Sequence, residues 1–170
     1  MQAEPEVILF GISPVEVVKT MSVAFEKDIE RQLRAISPRA ELAQLEKIRA
    51  VLAASEAGWS QREIARRVGV EQPEISRLLK KARLRPEVRQ RTPREVMLRY
   101  AVGELTHEQM MDELEHWDYT FGGPPEDDPA ADVYVRGSWD QIERAGDLLS
   151  DDDYQRLLEV TAARRAASRH

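Results

Sequence analysis

Two short amphipathic stretches between Gln61 and Lys80, joined across one glycine, restrict this chain more than any other feature. The residues there read QREIARRVGVEQPEISRLLK. Apolar side chains fall at helical spacing on both sides of the glycine, with Ile64, Ala65 and Val68 before it and Ile75, Leu78 and Leu79 after it. Ser60 and Glu63 predict a capping box, the hydroxyl accepting from the N3 amide and the carboxylate reaching back to the cap amide. Gly69 ends the first helix where a left-handed backbone is needed, and Val70 plugs the turn. Pro73 is tolerated in the first turn of a second helix that runs from about Gln72 to Ala82. The small side chain of Ala65 lets the two helices cross closely, so the pair forms a rigid unit with a polar outer face.

The flanking sequence is also helical. Ser13, Pro14 and Glu16 start a helix, and Val17, Met21, Ala24, Phe25, Ile29 and Leu33 carry it at helical spacing to about Ile36. Ser37-Pro38 predicts a break, and a second helix follows from about Arg39. Its stripe of Leu42, Leu45, Ile48, Val51 and Leu52 ends at Glu56-Ala57-Gly58, where Gly58 suits the position after the last turn. Pro86 and Pro93 mark residues 86–94 as a basic linker that can lie along a phosphate backbone. Beyond it, Thr92 with Glu95, Thr106 with Gln109, Ser138 with Gln141 and Ser150 with Asp153 read as helix starts. The first two of these helices are expected to end near Val102 and Trp117. Turn formers concentrate in residues 119–137, where Asp132 to Arg136 is the one short strand candidate. The expected fold is therefore all-α: an N-terminal segment (1–37), a helix-turn-helix bundle (38–85), the linker, and a small acidic helical domain (95–170).

Charge follows the same division. The chain has a formal net charge of −6. Residues 1–40 carry −1, residues 41–95 carry +5 and residues 96–170 carry −10. A basic middle of this kind fits a polyanion-contacting module joined to a part with different employment. With no cysteine, disulfides and thiolate metal sites are excluded, and His107, His116 and His170 are too scattered for a metal set. The apolar run Val7 to Ile12 is too short for a signal peptide or a membrane span, so a soluble, cytoplasmic protein without a cofactor is expected.

The 61–80 stretch resembles the helix-turn-helix of the lambda-repressor-like regulators, with Ile64, Ala65, Val68, Gly69, Val70, Ile75 and Leu78 in the slots that family reserves for apolar, small or glycine residues. The resemblance implies that the helix from Gln72 enters the major groove of double-stranded DNA. Gln72 then suits a bidentate contact to adenine, Arg77 reaches guanine, and Ser76 bonds to a base or a phosphate. Glu71 and Glu74 have two readings: they favour the positive end of the helix, or one accepts from a cytosine amino group. Gln61 and Pro73 complete the expected DNA-binding set. Arg62, Arg66, Arg67, Lys80, Lys81, Arg83 and Arg85 are placed for phosphate contact, of which about half are expected to be used. Trp59, just before the cap, reads as a core or staple residue.

The N-terminal helix has a long apolar stripe that must be covered, either by its own bundle or by its copy in a homodimer; the second is favoured, since a dimer presents two reading helices to a pseudo-palindrome. In the acidic half, Trp117, Tyr119, Phe121, Tyr134 and Trp139 are either that unit's own core or part of a protein interface. Glu126-Asp127-Asp128 reads as a polar loop and Asp151-Asp152-Asp153 as a helix start. The layout looks like a transcriptional autorepressor, and like the antitoxins of bacterial toxin–antitoxin pairs, whose acidic part would cover a basic toxin. The alternative is a DNA-binding subunit of a recombination or partition system. No nucleophile with partners, Gly-rich phosphate loop or spaced acidic triad is present, so no catalysis is expected.

Overall fold

A computed structural model describes residues 14–124 and 135–167. The chain divides into two units, one ending at Ile36 and the other starting at Ser37. The protein is mostly helical, and its described residues hold no strand. Ser13, the Val7 to Ile12 run, the acidic run Glu126-Asp127-Asp128, Tyr134 and most of the strand candidate Asp132 to Arg136 lie outside the described residues. Val135 makes only an isolated antiparallel bridge with Gly123. None of the described helices is long and apolar enough to cross a membrane.

The first unit holds α1 (Pro14–Arg34). Its polar side is partly satisfied within the helix, since Asp28 accepts from both Arg31 and Gln32. The predicted break at Ser37-Pro38 lies instead at Ala35, and α2 (Ile36–Glu56) carries Pro38 in its first turn. First-turn amides have no partner inside a helix, so the amide hydrogen that proline lacks is not missed there.

The second unit contains two hydrophobic cores. In the first, Ile48, Val51 and Leu52 of α2 pack with α3 (Gln61–Val68) and α4 (Gln72–Arg83) around Ile64, Ile75 and Leu79. Ile75 is fully buried, a burial worth about 1.5–3 kcal/mol. α2 ends as its glycine predicts: Gly58 is left-handed at φ 84°, its amide bonds Ser55, and the Trp59 amide bonds Ala54. In the second core, α5 (Pro93–Ala101), α6 (His107–Glu115), α7 (Asp140–Glu143) and α8 (Asp151–Ala167) surround Met97, Met110, Leu114, Trp139, Ile142 and Leu157. Thr106 and Gln109 make the complete capping box. Ser150 caps α8 by accepting from Asp153, and Asp151, Asp152 and Asp153 fill its first turn. Ser138 does not cap α7. Its hydroxyl accepts from the Thr120 amide, and the Gln141 side chain accepts from the Arg94 amide.

The segment predicted as a basic linker is tied down. It contains a 3-10 turn, Pro86–Arg89, and Val88 packs on the first core. Arg49 of α2 donates to the carbonyls of Val88 and Gln90 and makes two bonds, of 3.0 and 2.7 Å, to Glu95 of α5. Arg94 makes a two-pronged pair with Glu41 at 2.6 and 2.8 Å. Polar contacts of this kind join the two cores across residues 86–99.

One close approach fixes the loop side of the second core. Thr120 accepts from the Trp139 amide, and a Cβ added at Gly137 would overlap the backbone of Thr120 and Phe121. Backbone cannot step aside as a flexible side chain can. Gly137→Ala is therefore expected to destabilise the protein by about 1–3 kcal/mol, read as a lowered denaturant midpoint with an unchanged slope. An unchanged midpoint would show that this approach is loose.

Candidate nucleic-acid interface

α3 and α4 meet across a turn set by two glycine-dependent bonds. Gly69 has φ 76°, and its amide and that of Val70 both donate to the Ala65 carbonyl, at 2.9 and 3.0 Å. Ala65 is buried and Val70 packs against the first core, as the spacing predicts. Three local details differ. Val68 is 39% exposed, because α3 ends at that residue and the turn carries it outward. Only half of the Ser60 capping box forms: the hydroxyl accepts from the Glu63 amide at 3.2 Å, but the Glu63 carboxylate pairs with Arg67. Trp59 is not a buried core residue, being 39% exposed with the Arg67 guanidinium 4.2 Å from its ring centre.

The outer face of α4 is polar and open. At 100° per residue, Gln72, Pro73, Ser76, Arg77 and Lys80 occupy the arc opposite the buried Ile75, Leu78, Leu79 and Ala82. All five are exposed, as are Glu71, Lys81, Arg83 and Arg85. The Gln72 amide is not free to spin, because its Nε2 donates to Oε1 of Gln61 at 2.6 Å. That bond uses one of two N–H groups and leaves the other, with Oε1, for the donor–acceptor pair an adenine edge requires. Arg77 donates through Nε to the Pro73 carbonyl at 3.3 Å, which leaves its two terminal nitrogens unbonded. Glu71 stands at the N-cap with no side-chain capping bond. Glu74 lies in the first turn of α4, where its charge favours the positive end of the helix, and it also pairs with Lys47 of α2 at 2.6 Å.

Ion pairing differs between this face and the segment that follows it. Of the eight basic side chains between residues 60 and 85, Arg67 has a carboxylate partner, Glu63. Arg62, Arg66, Arg77, Lys80, Lys81, Arg83 and Arg85 pair with no carboxylate among the described residues. In the following segment Arg89, Arg91, Arg94 and Arg99 are all paired, with Glu56, Glu113, Glu41 and Glu95 respectively. The cations of the predicted linker thus have solvent-accessible carboxylate partners within the chain. Those of α3 and α4 remain available. Protein families, curated proteins and solved structures offer no match to this chain.

In the acidic half the aromatic residues form a core. Trp139 is buried, with Tyr119 edge-on at 4.9 Å and Phe121 and Tyr154 at 6.0 and 6.5 Å between ring centres. The Tyr119 hydroxyl donates to the Leu114 carbonyl. Burial raises its phenol above the usual range, with nearby Arg164 acting in the opposite direction. Arg165 lies over Phe121 at 3.9 Å. Trp117 is half-buried against the same core. Most of these rings are spent on internal packing.

Proposed function

We propose that this chain binds a specific sequence of double-stranded DNA through α4 and acts, without catalysis, as a regulator of transcription that represses its own operon. The observation that carries this reading is the set of exposed cations without carboxylate partners on α3, α4 and the exit of α4, bordering the polar face of Gln72, Ser76 and Arg77. Seven cations unpaired among the described residues, concentrated within residues 62–85 of a chain of net charge −6, favour a polyanion there. The amide of Gln72 and the guanidinium of Arg77 carry the donors and acceptors that suit the edges of adenine and guanine in the major groove. About four of Arg62, Arg66, Lys80, Lys81, Arg83 and Arg85 supply phosphate contacts that position the helix without reading sequence.

Titration of the full chain against its own upstream DNA and against a scrambled duplex, by fluorescence anisotropy at low and physiological salt, tests the proposal. The upstream duplex is expected to bind about a thousandfold more tightly or better. Both affinities should fall steeply with salt, by roughly a hundredfold between 50 and 200 mM for about four phosphate contacts. Equal binding of the two duplexes would refute autoregulation, and no binding to either would refute the assignment of this face to DNA.

A further inference from the structure

We propose that the apolar face of α1 pairs with the same face of a second copy of this chain. Met21, Phe25, Ile29 and Leu33 recur every fourth residue and lie within about 120° of arc on the helix. With Ile36, the last residue of that unit, they are 40–67% exposed. Isolated exposed apolar residues are ordinary on a protein surface, but an aligned stripe of four, with Ile36 exposed just past the helix end, is not.

The size and charge of the face favour a second copy over an unlike partner. Taking about 200 Å² for a fully exposed side chain of this size, these exposures amount to roughly 600 Å² per copy. Two such faces together come to roughly 1,200 Å², the lower edge of what a specific, stable interface buries. A two-fold pair needs only that one patch be compatible with itself, and a continuous aliphatic and aromatic stripe meets that condition. From Lys19 to Arg34 the helix has four cations and three carboxylates, so two copies repel little, and there is no strong charge to attract a partner of opposite sign. In the DNA reading, on which this consequence alone rests, pairing adds a second α4, doubling the base contacts and the phosphate contacts beyond what one copy supplies.

Light scattering of the full chain at tens of micromolar, without DNA, reads the outcome independently of the DNA assignment. A dimer mass is expected for the natural chain, and a monomer for Phe25→Glu/Leu33→Glu with unchanged circular dichroism, a rise of at least a hundredfold in the dissociation constant. A monomeric natural chain would overturn the proposal and leave the face to residues 7–12 or to another protein, and a dimeric double variant would move the interface elsewhere. Because the chain lacks cysteine, Ile29→Cys provides a second measure that requires no loss of packing. Under oxidised glutathione it is expected to form a covalent dimer, while Lys27→Cys on the opposite side of the helix does not. Equal crosslinking of the two would also overturn the proposal.

Discussion

Replacing Gln72 and Arg77 together by Ala is expected to erase sequence discrimination while leaving the fold and most non-specific DNA affinity intact. Each bidentate base contact is worth about 1–3 kcal/mol, so the pair contributes roughly 2–6 kcal/mol, a factor of about thirty to more than ten thousand in the ratio of specific to scrambled binding. Both side chains are exposed, and their truncation should change stability by no more than about 0.5 kcal/mol. The cations proposed to face phosphate are untouched, so the double variant is expected to keep binding duplex DNA with nearly the salt dependence of the natural chain. Anisotropy titrations on a specific and a scrambled duplex check this. A ratio equal to that of the natural chain would mean that α4 does not read the bases.

The second large effect concerns the seam between the two cores. Glu95 is almost fully buried and accepts bonds from Arg49 on α2 and from Arg99 one turn further along α5. Removing one member of a buried ion cluster leaves its partners with uncompensated charge, at a cost of about 3–5 kcal/mol when they are fully enclosed. Arg49 and Arg99 retain some access to water, which lowers the expected cost of Glu95→Ala to about 2–4 kcal/mol. Chemical denaturation measures it, and a loss below about 0.5 kcal/mol would show that the cluster holds nothing together.

The same carboxylate sets an acid limit. Burial raises its pKa, but the hydrogen bonds and charges of Arg49 and Arg99 outweigh burial and hold it below its ordinary value. A carboxylate depressed on folding contributes stability that is fully present above its unfolded pKa, about 4.3, and is lost as pH falls through the lower folded value. Acid unfolding should therefore be flatter with pH below about 4 in Glu95→Ala than in the natural chain.

What could be read along the chain was what neighbouring residues decide. Thr106 with Gln109 forms a complete capping box, and Gly58 and Gly69 take left-handed conformations, because each depends on residues within one turn. Even locally, competition alters the result: Glu63 can reach back to its cap or forward to Arg67, and it pairs with Arg67. Distant partners were not legible. The arginines at 89, 91 and 94 looked like a basic linker because Glu56, Glu113 and Glu41, which neutralise them, lie 33, 22 and 53 residues away. Glu95 was read as part of a helix start; the two arginines that make it the centre of the seam lie four residues ahead and 46 behind. At the candidate interface, the outer face of α4 followed from periodicity, whereas the bond between Gln61 and Gln72 depends on how α3 and α4 cross.

The central claim is that α4 reads duplex sequence, and the most direct measurement is selection by the full chain from a pool of randomised double-stranded DNA at physiological salt, sequenced over successive rounds. A short motif containing adenine and guanine is predicted to enrich with the natural chain, and to fail to enrich with the Gln72→Ala/Arg77→Ala variant carried through the same rounds. An equally enriched motif with both proteins would contradict the reading helix, and a pool that stays random with a folded natural chain would contradict sequence-specific binding itself.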